Sequence, residues 1–407
     1  MMRAAVVDDV SAQQRRLGKK GLIAFLTLLS AFIPLSTDLY LPALPGMTEY
    51  FGVPEYQTNL TLILFFVFYA VSLLVWGPLS DRYGRRPILL VGLSAYTLAG
   101  VLCAISPSVF LLMFFRVMQA LGAGAATAVS TAIVKDVYRG RRRESILALV
   151  QSMTVISPAV APMIGALILN LTSWRGTFWA QAALGILVVA LTVAFDETLT
   201  AKSSGSPLAS LRRLGVVLRH RTFAILLAIF APVSISGMAF VSSSSYIYQE
   251  DFGVSSQVFS FFFAIFAIGL AIGPLIYIRL SQTWRRTSII TGTLAVIALS
   301  GLLVLLLGGR GPWAFILTML PSGIALSCMR PPATYLLLDQ HEADAGSTSA
   351  LMGSTHMVMG SLGMVIVSLQ LGDRVIVLGA LTLAVGLLSL GFWLRVGRAL
   401  VAGPRKR

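Results

Sequence analysis

Long apolar runs alternate with short polar breaks along the chain, and the lengths of the runs set the first expectation. A helix rises about 1.5 Å per residue and the hydrocarbon core of a bilayer is about 30 Å thick, so about 20 apolar residues cross it. Runs of that length lie at about 21 to 43, 58 to 79, 87 to 107, 108 to 135, 145 to 170, 176 to 195, 222 to 247, 256 to 279, 287 to 308, 312 to 337, 346 to 371 and 374 to 396. Twelve membrane-spanning helices are therefore predicted. The first run continues through Pro34, Asp38 and Pro42 with no small-residue cleavage site, so it reads as a span and not as a cleaved leader.

The longest polar break, Asp196 to Arg221, carries Lys202, Ser203, Ser204, Gly205, Ser206 and Pro207 and ends in Arg219-His220-Arg221. Its composition is that of a flexible linker. It divides the spans six and six, which predicts a cytoplasmic tail at 1–20, a six-helix bundle at 21–195, the linker at 196–221, a second bundle at 222–396 and a tail at 397–407. The fold class is then an all-α polytopic membrane protein of two six-helix bundles. An internal repeat supports the division. Gly77-Pro78-Leu79 is followed by Arg85-Arg86, and Gly273-Pro274-Leu275 by Arg285-Arg286, the first copy alone keeping an acid, Asp81.

Composition agrees: 57% of the 407 residues are apolar and 12% charged, with a mean hydropathy of +0.85, which excludes a water-soluble domain. The net charge of +15 invites a nucleic-acid reading that the positions of the cations reject. With both termini cytoplasmic, 26 of the 31 Lys and Arg fall on the cytoplasmic side, Arg175, Arg310 and Arg374 outside, and Arg116 and Arg330 within spans. That asymmetry is the positive-inside pattern, so the charge sets orientation and implies no nucleic-acid partner. Cys103 and Cys328 lie far apart in apolar runs, with no disulfide framework, metal-ligand spacing or cofactor motif.

Against this background Asp38 stands out as the one carboxylate well inside a predicted span, and an acid at membrane depth is a functional-site hypothesis. Ser30, Pro34, Asp38 and Pro42 recur every four residues along one helical stripe. The prolines deprive the carbonyls of Ser30 and Asp38 of their helical donors, which predicts a kink beside a wet, protein-lined cavity. Counting inward from the outer ends puts Arg116 of span 4 within about 3 Å of the depth of Asp38, with Gln119 one turn away. An Asp38–Arg116 ion pair is therefore expected, either as a static helix-orienting contact or as a proton-coupling site. Burial favours the neutral acid and a guanidinium the carboxylate, so cavity hydration would move Asp38 between forms.

Other polar or small positions are weaker candidates. Pro34 and Thr37 flank the acid; Phe65 and Tyr69 in span 2, Pro158 in span 5, Tyr246 after four serines in span 7 and His356 in span 11 are candidate cavity residues. A packed role competes with each of them, most of all for His356, Phe65 and Tyr69. Arg330 in span 10 either snorkels or marks an anionic substrate group. Small residues at Gly122, Ala126 and Ser130, and at Ser157, Ala161 and Gly165, predict close helix contacts.

Gly77-Pro78-Leu79-Ser80-Asp81-Arg82-Tyr83-Gly84-Arg85-Arg86-Pro87 resembles the motif A loop of the major facilitator superfamily. Arg116 to Gly124 resembles the family's motif B, and Pro158 to Gly165, with Pro162, its antiporter motif C, in which Ala161 replaces a glycine. Trp174-Arg175-Gly176-Thr177-Phe178 is similar to its Trp-Arg-x-x-Phe. Thr37 to Pro45 together with the first loop resembles the Bcr/CflA branch of drug-resistance transporters. This resemblance implies proton-driven export of small amphipathic compounds across the cytoplasmic (inner) membrane by a monomer without cofactors, its partners being substrate, protons and the lipid bilayer. It also implies a conformational latch at Gly77, Asp81, Arg82, Gly84, Arg85 and Arg86. Relatives can carry a second acid two turns before Asp38, where this chain has Ser30.

The alternative is a proton-coupled transporter of a natural metabolite such as a siderophore, sugar or amino acid derivative. A membrane-embedded enzyme is disfavoured, because one carboxylate and one histidine within the spans are too few converging groups for catalysis.

Overall fold

A computed structural model describes residues 14–199, 214–340 and 345–397. Most of the two predicted tails and the centre of the predicted linker lie outside these residues. Twelve helical spans run Gly18–Phe51, Glu55–Tyr83, Arg85–Ala104, Val109–Val137, Ser145–Leu171, Trp174–Ala194, Arg221–Asp251, Ser256–Leu280, Arg286–Arg310, Pro312–Leu338, Gly346–Ser368 and Arg374–Gly397. They are numbered 1 to 12 below; spans 1–6 form the first bundle and 7–12 the second. Among the described residues there is no strand. Each span overlaps a predicted run, because an apolar segment in lipid has to satisfy its own backbone and a helix does so without a partner.

Span 1 departs from the prediction in an informative way. Its first helix, Gly18–Asp38, passes through Pro34 unbroken and stops at Asp38; a tight turn at Leu41–Ala43 holds Pro42, and a second helix runs Leu44–Phe51. The predicted kink is thus placed by Pro42 alone. Span 7 is broken in the same manner by a turn at Ala231–Val233 around Pro232. A proline cannot donate to the carbonyl four residues back, so both breaks leave carbonyls for other donors.

Buried apolar side chains form three clusters whose arrangement positions everything else. At the end remote from Gly18 and Gly397, the far end, one cluster includes Tyr40, Leu62 and Phe178 of the first bundle together with Phe240, Tyr248 and Phe315 of the second. At the near end the clusters separate by bundle, one built on Phe25, Leu93 and Val134, the other on Phe230, Leu294, Ile297 and Trp393. The two bundles are therefore packed into one body at the far end and parted into two at the near end. Span 2 lies against span 11 and span 5 against span 8 across the divide.

Small residues set the closest approaches. Gly122 of span 4 packs on Gly92 and Tyr96 of span 3, as its four-residue pattern predicts. Gly165 of span 5 lies so close to span 1 that a Cβ there would collide with the Leu39 carbonyl oxygen, one residue beyond Asp38.

Candidate functional site

Asp38 ends the first helix of span 1 with only 7% of its surface exposed. The Thr37 hydroxyl donates to its Oδ1 at 2.9 Å, while also lying 3.1 Å from the Ile33 carbonyl, so a single proton serves two acceptors. No other hydrogen bond and no ion pair reaches Asp38 among the described residues, and its second oxygen is not among the sealed polar atoms. The acid is buried, weakly held and without a counter-charge among those residues.

The expected Asp38–Arg116 ion pair is absent. Arg116, fully buried, donates through Nη1 to the Ser36 carbonyl at 3.2 Å and to Gln119 Oε1 at 2.7 Å, and through Nε to the Thr61 carbonyl at 3.4 Å. Its guanidinium lies 4.2 Å from the Phe65 ring centre and 4.6 Å from that of Tyr40, an aromatic cage that favours a cation. The depth expectation is sound, since Arg116 reaches a carbonyl two residues from Asp38. The face is not: two residues turn a helix by about 200°, which separates the two side chains. The Ser36 hydroxyl, 2.6 Å from the Tyr96 hydroxyl of span 3, marks the face that looks into the first bundle.

Gln119 joins Arg116 as expected and passes the network on, donating to Gln181 Oε1 of span 6 at 3.0 Å. Gln181, Tyr40 and Tyr96 are members of this site that sequence reasoning missed. A glutamine within an apolar span is the available signal for the first; aromatic residues are too common in such spans to mark the others.

Several candidate cavity residues are packed instead. Phe65 is fully buried beneath Arg116, and Tyr69 is 4% exposed with its hydroxyl donating to Thr127 at 3.1 Å. Tyr246 is fully buried and shares a 3.1 Å hydrogen bond with Thr48 of span 1, which makes it part of the far-end seam. Thr37 lies beside the acid, and Pro34, Pro158 and His356 remain partly exposed. Pro162 is buried, its carbonyl accepting from Ser260 of span 8 at 2.9 Å.

The far-end seam continues around Asp38's own chain. Ser245 Oγ donates to the Leu41 carbonyl at 2.6 Å and Gln249 Nε2 to the Pro42 carbonyl at 3.0 Å, both across the bundles. Nearby, Glu55 at the start of span 2 is 2% exposed and pairs with Arg374 of span 12 at 2.8 Å. Arg374 also pairs with Glu250 at 2.6 Å and with Asp251, while Gln370 donates to Glu55 and Asn59 to Ser368. A cavity of about 180 Å³ opens beside Asp251, Gln370, Asp373 and Arg374. In the sequence Glu55 and Arg374 stand in end segments, where charges are ordinarily solvated.

At the near end, among the described residues, the motif loop is bonded to the first bundle and to Glu197 just beyond span 6. Arg85, 5% exposed, pairs with Asp136 of span 4 at 2.9 Å and with Asp81 at 2.5 Å. Gly84 takes φ +110°, a conformation that favours glycine, and Glu197 accepts the backbone N–H groups of Arg85 and Arg86, each at 3.0 Å. Arg86 donates to the Val193 carbonyl at 2.6 Å, Arg82 lies over the Tyr83 ring, and a Cβ on Gly77 would meet open space.

The chain is 30% identical over 348 residues, 82% of its length and 86% of the relative's, to a protein of Bacillus subtilis (strain 168) described as the uncharacterized MFS-type transporter YdgK. It is 32% identical over 277 residues, 66% of its length and 65% of the relative's, to the chloramphenicol resistance protein of Pseudomonas aeruginosa. The crystal structure of the peptide transporter POT in complex with sulfate superposes with a TM-score of 0.77 over 96% of this chain and 98% of that one, at 14% identity, which speaks to fold alone. Members of such a family are transporters of small molecules and not enzymes. With the Major Facilitator Superfamily profile matching residues 25–364 and twelve spans arranged in two bundles, the chain belongs to that superfamily and resembles its drug-efflux members.

Proposed function

We propose that this protein exports small amphipathic compounds in exchange for protons, by alternating access, with Asp38 as the group that exchanges the proton. The observation that carries the reading is a buried carboxylate with no counter-ion among the described residues, three and four residues before the carbonyls that Ser245 and Gln249 hold across the bundles. A change of charge at Asp38 alters the hydration of the turn that forms the seam, so protonation and far-end closure are linked. Arg116 acts as a positioning residue, fixing the Ser36 carbonyl and hence the helix that carries the acid.

The orientation follows from the cations. The near end, with Arg85, Arg86, Arg285 and Arg286, is cytoplasmic, so both termini face the cytoplasm of a cell whose cytoplasmic membrane holds the protein as a monomer. The parted near-end clusters then correspond to a cavity open to the cytoplasm. In the opposite state the loops at Gly77–Arg86 and Gly273–Arg286 meet and latch the bundles.

The name of the Pseudomonas aeruginosa relative makes chloramphenicol the first compound to test. In sealed vesicles with an imposed pH gradient, wild-type protein moves it against the proton flux. Asp38→Asn lowers gradient-driven transport by at least about tenfold, the scale of one lost coupling step, while substrate counterflow without a gradient persists. Undiminished gradient-driven transport by the variant would remove Asp38 from the coupling role. Uptake of natural metabolites by the same vesicles, with no response to drugs or dyes, would favour a metabolite transporter.

A further inference from the structure

The second bundle contains a charge that none of these steps uses. Its acids are Glu250, Asp251, Asp339, Glu342, Asp344 and Asp373, all at span ends or beyond, so no carboxylate lies in the interior of spans 7–12. Arg330 does lie there, eight residues before Leu338 ends span 10, which places its Cα about 12 Å inside the end of the helix. Its immediate predecessors Cys328 and Met329 are each 3% exposed, whereas Arg330 itself is exposed.

That exposure faces inward. Leu326 is one turn earlier on the same helical face, and it is the side chain that a Cβ on Gly237 of span 7 would meet. His356 of span 11 borders the same turn of span 7, since Ser234, which bonds its backbone, lies three residues before Gly237. His356 is itself partly exposed, and the Ser234 hydroxyl of span 7 donates to its backbone carbonyl at 2.9 Å, which fixes that stretch of span 11. Among the described residues no hydrogen bond, ion pair or aromatic ring engages the Arg330 guanidinium, in contrast with Arg116, Arg85 and Arg374.

An uncompensated cation at membrane depth is costly and is ordinarily paired or turned to a pathway. A permanent partner would have removed that cost, and none stands among the described residues. A partner that enters and leaves with each cycle is one source of such a counter-charge. We infer that Arg330 and His356 form a subsite for the carboxylate, sulfonate or similar oxyanion of an amphipathic anionic substrate, the guanidinium offering a planar fork and the imidazole one further N–H. This rests on the exporter reading above and adds anionic amphipathic compounds to its substrates. Asp38 in the first bundle and Arg330 in the second are then the two unpaired charges deep in the described spans, one for the proton and one for the cargo.

Equilibrium binding without a pH gradient tests the inference separately from proton coupling. The full-length protein is placed in nanodiscs of uncharged lipid, and fluorescein, an amphipathic anion, is titrated by fluorescence anisotropy beside neutral radiolabelled chloramphenicol. Wild type is expected to bind fluorescein saturably. Arg330→Gln weakens it at least about tenfold, the loss expected for a charge-assisted bond to a desolvated anion, and leaves chloramphenicol affinity within about twofold. Arg330→Lys restores part of the loss, and His356→Gln weakens fluorescein several-fold. No gradient is imposed and Asp38 is kept in every variant, so a failure of the coupling assignment leaves this result readable. Unaltered fluorescein affinity in Arg330→Gln, an equal loss of both ligands, or non-saturable partition into the lipid only would each overturn the subsite.

Discussion

The two ends of this molecule are bonded on opposite plans. At the far end the polar contacts run from one bundle to the other: Glu55 to Arg374, Asn59 to Ser368, Thr48 to Tyr246, and Ser245 and Gln249 to the turn after Asp38. At the near end Arg85, Asp81, Asp136, Arg86 and Glu197 satisfy one another within the first bundle and the start of the segment that follows it. The far end must exchange its contacts before it can open, whereas the near-end network is complete while the bundles are parted. Stability of the parted state is therefore concentrated at one end, and stability of the first bundle at the other.

The largest way to break this comparison is at Arg374. Replacing it with alanine leaves Glu55 buried without a cation, a loss worth about 3–5 kcal/mol for a broken buried pair. Distances between spin labels at the far ends of spans 2 and 12 should shift toward the open population in Arg374→Ala; an unchanged distribution would mean that the seam does not depend on the pair. Gly165→Ala comes next. Its methyl collides with the Leu39 carbonyl, and overpacking of this kind costs about 1–3 kcal/mol, so transport should fall about tenfold or more with insertion retained. Ordinary transport by this variant would show that spans 1 and 5 separate freely.

Near-end changes should be smaller and leave the far-end distances alone. Glu197→Ala removes a carboxylate from two N–H groups at the start of span 3, an effect of about 1 kcal/mol read as a lower melting temperature of the purified protein. An unchanged melting temperature would show that water serves those N–H groups as well. Asp81→Ala is the mildest in this state: the acid is 54% exposed, so its pair with Arg85 contributes under about 1 kcal/mol. Impaired transport with unaltered melting would sharpen the contrast by giving Asp81 a role in the opposite state; normal transport would remove the latch.

The spans were legible because about 20 apolar residues have few other uses, and Asp38 because an acid interrupts such a run. Arg116 was legible in depth, which follows from counting, but not in direction. A span that is apolar on all sides carries no periodic mark of which face looks inward, so Ser36 and not Asp38 received the guanidinium. The same blindness made Phe65, Tyr69 and Tyr246 look like cavity residues. Glu55 and Arg374 escaped notice for another reason: in end segments a buried ion pair and two solvated charges read alike until the bundles meet.

The turn after Asp38 leaves almost no slack. The Leu39 carbonyl abuts Gly165 of span 5, and the next carbonyls but one, Leu41 and Pro42, are held by span 7. A displacement at the acid is passed to span 5 through direct backbone contact and to span 7 through the short Ser245 side chain, as in a gear train cut with little backlash.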